Sequence, residues 1–334
     1  YNKDTKDLLQ SISIPGSTGF STMWVNRGKI NNKGLEIALD GVIIDSRNFS
    51  WTAGANISFN KNTIRDIGVP ESQWGSLYGS AFLGSNIGND ATYFKMPANI
   101  FMEGKPFGQF FGFKTDGIVQ AEDVASGKLP TYRGKVLQPG DVKYVDMNDD
   151  GDITDEDKTI IGDPNPLFTY GFNTSFSYKD WNLGLSFSGV YGNDLVNGNL
   201  MQENDVAPAN PAQNINNIRR DAYFKAWTED NTDTDYPRLR STTNSGDFTD
   251  RIVEDGSYLR LAAVTLGYTF RLDKTRWIDS INLNFTARNP FVWTKYDGWD
   301  PDVSSYTNDS KRVGVDWSSY PTTRSYVFGV LLNF

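Results

Sequence analysis

The sequence predicts an all-β chain: an antiparallel transmembrane β-barrel segment of about eight membrane strands with long folded extracellular loops. Three observations predict it. Apolar and polar residues alternate with period two in segment after segment. Short and long connections alternate between those segments. The chain also closes on an aromatic residue, Phe334, at the end of its last alternating segment.

Strands are expected near 1–12, 26–44, 49–61, 167–178, 181–192, 257–270, 281–292 and 324–334. In GLEIALDGVII, Leu35, Ile37, Leu39 and Ile43 oppose Glu36 and Asp40. In FSWTAGANISFN, Phe49, Trp51, Ala53, Ala55, Ile57 and Phe59 share one face, and the other is small and polar. That second face suits a wet interior better than a packed core. FTYGFNTSFSY and WNLGLSFSGVY are separated only by Lys179 and Asp180, which predicts a tight hairpin. YLRLAAVTLGYTF places Val264, Leu266, Tyr268 and Phe270 on one face, with a less polar opposite face. INLNFTARN sets Ile281, Leu283, Phe285 and Ala287 against Asn282, Asn284, Thr286 and Arg288. In RSYVFGVLLNF, alternation runs from Tyr326 to Phe334. A barrel strand ends this way in an interfacial aromatic belt; an ordinary terminal strand tucked into a sheet is the plainer alternative.

Connections 45–48, 179–180 and 271–280 are short, whereas 13–25, 62–166, 193–256 and 293–323 are long. Short periplasmic turns and long external loops give this alternation in outer-membrane barrels. A soluble β-sandwich also makes hairpins, but gives no reason for every long connection to fall at one end. Structureless loops above about 15 residues are uncommon, so 62–166 and 193–256 are expected to be folded extracellular regions. GQFFGFKTDGI within the first reads as an extra external strand. Eight strands either close a small barrel or are completed by strands outside this chain, since an open edge is costly in hydrocarbon.

Composition narrows the function classes. The 334 residues carry 32 basic and 41 acidic side chains, a formal charge of -9, against a nucleic-acid surface. Cysteine and histidine are absent, which removes disulfides, thiol catalysis and the commonest general base. No apolar run approaches the roughly 18 residues of a spanning helix. The chain opens at Tyr1 without methionine or signal peptide, as expected of part of a longer protein. Acidic pairs such as Glu229 and Asp233 occur, but nothing fixes two carboxylates across a scissile bond. The chain is therefore expected not to be an enzyme, with an outer-membrane hydrolase as the remote alternative.

The segment DMNDDGDITDED at 146–157 has calcium-loop spacing. Asp146, Asn148 and Asp150 offer side-chain oxygens, Gly151 permits the sharp turn, Asp152 offers its main-chain carbonyl, and Thr154 and Asp157 follow. Asp157 replaces the usual glutamate and reaches less far. Seven acidic side chains in twelve residues repel one another without a cation. Calcium is thus a candidate structural ion, with no catalytic cofactor expected; a solvated turn rich in Asp and Asn is the plainer alternative. No helices flank the loop, so a staple for external surface fits better than a sensor.

Aromatics and amides crowd 71–94 and 195–233. Trp74, Tyr78, Tyr93, Tyr223 and Trp227 are candidate contacts for substrate or a lid, against a plainer role in packing the loops. Arg219, Arg220 and Arg240 are candidates for acidic partners or lipopolysaccharide. Trp181, Trp277, Trp293, Tyr296 and Phe334, with Trp299, are expected at the membrane interface beside outer-membrane lipid.

Several segments resemble one known family. NRGKINNKGLEIALDGVI at 26–43 resembles a strand of TonB-dependent transporters, with the pattern N-x-G-x-x-x-N-x-G-x-E. FSWTAGANISFNKNTI at 49–64 and GKPFGQFFGFKTDGIVQ at 104–120 are similar to segments of the SusC/RagA transporters of Bacteroidetes. PGDVKYVDMNDDGDITDEDKTIIGDPNPLFTYGFN at 139–173 is the most specific match. DGSYLRLAAVTLGYTF, ARNPFVWTKYDGWDPDV and YPTTRSYVFGVLLNF complete it in order, so that 1–334 resembles the carboxy-terminal barrel portion of such a receptor. The resemblance implies a 22-stranded barrel whose plug, TonB-engaging segment and remaining strands lie outside this chain. It further implies a SusD-like surface lipoprotein as lid, glycan or peptide import, and the outer membrane of a Gram-negative cell. A calcium-stabilised adhesin or binding barrel without active transport is the alternative.

Overall fold

The computed structural model describes residues 1–7, 9–13, 16–20, 22–26, 28–68, 81–88, 96–204, 218–239, 247–272, 277–303, 305 and 309–334. Eight strands form one antiparallel sheet: β1 (Asn2–Lys6), β4 (Lys29–Asp45), β5 (Phe49–Asp66), β14 (Phe168–Tyr178), β15 (Trp181–Tyr191), β18 (Tyr258–Arg271), β19 (Ser280–Thr294) and β21 (Ser325–Asn333). They pair in that order, each with its neighbour in the list.

Turn chemistry sets the register. Ser46 bridges the β4–β5 turn, its N–H and hydroxyl both donating to the Phe49 carbonyl. Between β14 and β15, Tyr178 faces Trp181 directly, and Lys179 takes the left-handed conformation with φ 54°. Asp180 then ties the turn sideways: its carbonyl accepts from the Thr269 N–H at 2.9 Å and its carboxylate from Arg271 at 3.0 Å.

Register aligns like with like across the sheet. Leu39, Ala55, Phe172 and Phe187 lie opposite one another in one row. Trp51, Phe176, Leu183, Leu266, Phe285 and Phe328 form another. Between them run Asp40, Gly54, Asn173 and Ser186 on the opposite face. The face is close-fitted at Gly54, where a Cβ would lie 2.0 Å from the Asp40 carboxylate and turn that side chain aside. Thr174, which falls in an apolar row, is satisfied locally: it accepts from the Trp51 indole at 2.8 Å and donates to the Thr52 carbonyl.

Two expectations are corrected here. Among the described residues the sheet is open: β1 pairs only with β4, β21 pairs only with β19, and these two edges do not join. The expected barrel segment, closed by its own eight strands or counted toward twenty-two, is replaced by an open antiparallel sheet. Period two specifies faces, but closure depends on the pairing of the outermost strands, which periodicity does not encode. The expected strand at 1–12 is also divided. Only its first part joins the main sheet, while β2 (Leu9–Ser13) forms a hairpin with β3 (Thr22–Asn26). Among the described residues, no helix is long and apolar enough to cross a membrane.

The apolar sheet face is not sealed. Leu39 is 73% exposed and Phe328 77%, and Phe172, Leu185 and Phe285 stand partly exposed. The buried core lies instead in the long connections. Strands β6 (Ala81–Leu83), β7 (Asn99–Met102), β8 (Gln109–Gly112) and β13 (Thr159–Gly162) form one small sheet. Strand β9 (Thr115–Ile118) pairs with β11 (Val142–Tyr144), and β10 (Thr131–Tyr132) with β12 (Asp152–Ile153). A further sheet joins β16 (Asp194–Asn197), β17 (Val253–Asp255) and β20 (Val315–Asp316). Three short helices complete the layer: α1 (Ala121–Ala125), α2 (Gly198–Asn204) and α3 (Arg220–Phe224). One core gathers Phe113, Val119, Tyr132, Tyr144 and Ile153; another gathers Phe110, Val196, Phe248 and Val315. The expected single strand GQFFGFKTDGI is two strands, β8 and β9, broken where the Phe113 N–H donates to the Phe248 carbonyl.

Candidate functional site

The acidic loop leaves β11, turns back through β12 and ends in a 3-10 turn, Asp155–Asp157. It turns on its own side chains. Asp146 Oδ2 accepts from the Gly151 N–H at 2.8 Å, Asn148 Oδ1 from Asp150 at 3.0 Å, and Asp150 Oδ1 from Asp152 at 2.9 Å. Gly151 takes φ +86°, open to glycine at little steric cost. Asp157 is fully buried and bridges the loop's two ends, accepting from Met147 N–H at 2.8 Å and Thr154 N–H at 2.7 Å. Thr154 Oγ1 caps the short turn by accepting from Glu156 N–H. The Asp152 carboxylate points elsewhere, accepting from the Gly134 N–H and the Thr131 hydroxyl, donors that hold its pKa below the usual value.

These contacts separate the candidate metal ligands. Asp152, Thr154 and Asp157 use side-chain oxygens to hold backbone or a neighbouring strand. Both Asp150 oxygens are engaged, by Asp152 N–H and the Asn148 amide. Asp146 Oδ1 is different: it is buried and has no hydrogen-bond partner. An orphaned carboxylate oxygen of this kind suits a cation, which would repay its desolvation. Among the described residues, however, no three acidic side chains converge as a metal-holding group.

Beside the loop lies a second polar cluster. The Tyr132 hydroxyl donates to Asp247, and Arg133 pairs with Asp247 and Asp155 at 3.2 Å each. Burial pushes the Asp247 pKa up, against the Tyr132 donor and the Arg133 charge.

The structure scatters the other candidates. Trp74, Tyr78, Tyr93 and Arg240 lie outside the described residues. Tyr223 is exposed and meets Phe224 edge-on, while Arg220 stacks over Phe224. Trp227 packs against the core around Phe113, its indole donating to Gln120 Oε1 at 3.1 Å. Trp181, Trp277, Trp293 and Phe334 are exposed, Trp181 touching Tyr268 and Trp293 stacking on Phe291. Tyr296 is buried in the loop layer, its hydroxyl donating to Asp316 at 2.6 Å, and does not share their exposure. Asp297 is not singled out in the sequence, and Asn197 and Asn199 enter only as part of the amide-rich segment 195–233. The fold brings them beside Arg219 and Trp299 around one cavity, and no spacing in the sequence announces it.

No family model matches the chain. TonB-dependent receptor P3 of Formosa agariphila is 30% identical over 342 aligned positions, covering 100% of this chain and 32% of that protein. This chain is similar to TonB-dependent receptors along its whole length. TonB-dependent receptor SusC of Bacteroides thetaiotaomicron is 26% identical over 344 positions, covering 100% of this chain and 29% of the receptor. The chain thus spans about a third of the length of the curated relatives it matches. Two solved structures share its fold at 23% identity over 100% of the chain. The RagAB peptide transporter matches with a TM-score of 0.72 over 32% of its chain. The RagAB peptide importer in its closed-closed state matches with 0.73 over 33%. The curated relatives are receptors by name, in agreement with the expectation that the chain is not an enzyme.

Proposed function

We propose that this chain is part of a TonB-dependent receptor of the Gram-negative outer membrane, acting in nutrient import. The end-to-end similarity to TonB-dependent receptor P3 carries the proposal. The receptor imports glycans or peptides, works with a SusD-like surface lipoprotein and draws on TonB. The folded loop layer supports this, since it presents polar cavities and exposed aromatics on a sheet scaffold. In its native cells, loss of this protein is expected to abolish growth on its nutrient, and loss of TonB is expected to do the same. Nutrient binding that persists without any TonB-dependent uptake would replace transport with the adhesin reading.

The acidic loop is proposed to take calcium as a structural ion. Asp146 would hold it through its buried, unpartnered Oδ1, and Asn148 and Asp150 would add the second lone pairs of oxygens that already accept hydrogen bonds. The ion would supply charge neutralisation to the crowded loop and no catalytic chemistry. Calorimetry of the purified protein with calcium is expected to show binding that Asp146→Ala removes. Equal titrations of wild type and variant would end the proposal.

A further inference from the structure

After β19, the chain passes Tyr296, Asp297, Gly298 and Trp299 before reaching Asp300. Tyr296 and Asp300 are both buried, 5% and 4% exposed, and both are anchored. Tyr296 donates to Asp316, and Asp300 accepts from Arg260 and Thr322. Between these anchors Gly298 crosses the Tyr296 ring so closely that a Cβ would lie 2.2 Å from it. The segment is thereby fixed, and Trp299 is presented outward with 78% of its surface exposed.

Trp299 borders a cavity of about 390 Å³ shared with Asn197, Asn199, Leu200, Arg219, Asp297 and Gly298. One carboxylate fixes two of its walls. Glu254 Oε1 accepts from the Asn197 amide at 2.9 Å, and Glu254 Oε2 accepts from the Asp297 N–H at 2.7 Å. Arg219 spans to Asp297 at 2.8 Å, so its charge is matched. Asn199 is held by the Ser318 N–H, which donates to its Oδ1 at 2.8 Å.

This is an exposed indole on an anchored stretch of backbone, beside a carboxylate, a guanidinium and two amides. A pyranose ring has complementary chemistry. Its C–H face covers an indole, and its adjacent hydroxyls both donate and accept, so that one meets a carboxylate while its neighbour meets a guanidinium or amide. A rigid aromatic supplies contact area at low entropic cost. Peptide recognition by contrast draws on a free sheet edge, a row of apolar pockets or a proline-reading aromatic groove. The cavity offers one leucine and one indole, and is otherwise lined by polar groups.

We propose that the Trp299 cavity is a subsite for a pyranose ring of an electrically neutral oligosaccharide, stacked on Trp299 and hydrogen-bonded by Asp297 and Arg219. The proposal rests on the uptake reading and narrows its substrate to glycans.

The test presents the purified protein with neutral, uronate-bearing and sulfated oligosaccharides and with a random octapeptide library. Wild type is expected to bind at least one neutral oligosaccharide and to change its tryptophan fluorescence on binding. Trp299→Ala is expected to weaken that binding at least tenfold with an unchanged melting temperature, because the exposed indole holds nothing in place. Trp299→Phe is expected to restore part of it, and Asp297→Asn to weaken it further. Three results would overturn the subsite: no neutral oligosaccharide bound, equal binding by Trp299→Ala, or Trp299-dependent binding confined to peptides or charged sugars. Nutrient uptake that proves independent of TonB would remove the transport reading and leave the glycan result standing.

Discussion

Arg260 on β18 and Asp300 in the loop layer form a buried ion pair across forty residues of chain, with side chains 7% and 5% exposed. Asp300 also accepts from the Asp302 N–H at 2.9 Å and from the Thr322 hydroxyl. The pair fastens the connection after β19 to the sheet and sets the backbone that carries Trp299. Asp300→Ala would leave a buried guanidinium without its hydrogen-bonded carboxylate, at about 3–5 kcal/mol. Denaturant unfolding is expected to show that loss. A cost below about 1 kcal/mol, the range of exposed pairs, would show that the pair is solvated.

Asp247 predicts a pH dependence. Its folded pKa is raised by burial, so the folded state holds the proton more tightly than the unfolded chain does. Stability from this group is complete below the unfolded carboxyl value of about 3.9 and is lost as pH rises through the raised folded pKa. Asp247→Asn is expected to remove that loss, so the stability difference between variant and wild type grows from acid toward neutral pH. A difference that stays flat from pH 3 to 7 would contradict the shift.

Gly140 packs under Trp227 with φ +86°, where an added Cβ would lie 2.6 Å from the Trp227 ring and 2.8 Å from Arg238 Cβ. Gly140→Ala therefore combines backbone strain with a clash and is expected to cost more than about 1 kcal/mol. The companion change Gly134→Ala also sits at positive φ but meets nothing within 4 Å, so it carries the strain alone. Comparing their melting temperatures separates the two effects. Equal shifts would mean that Trp227 yields without cost.

Much of the sheet was legible. Alternation in 168–178 and 181–191 placed those two strands, and Lys179-Asp180 placed their turn, because period two and a two-residue connection leave little choice of register. The site was far less legible. Tyr296 looked like its exposed aromatic neighbours, yet it is buried on Asp316, since the fold carries a distant carboxylate to its hydroxyl. The acidic loop showed its spacing plainly, but not that Asp157 spends both oxygens on backbone N–H groups while Asp146 Oδ1 is left unpartnered.

By itself the sequence determined which residues share a face, because side-chain direction in a strand follows from parity alone. It also determined the paired strands at 49–61, 168–178 and 181–191 and the two-residue turn that joins the last two. Only the tertiary structure decided that the sheet stays open, that the buried core sits in the long connections, and that Asn197, Arg219 and Trp299 meet at one cavity. Those outcomes depend on which distant segments fill the space between them, and contact across a hundred residues leaves no local period to read.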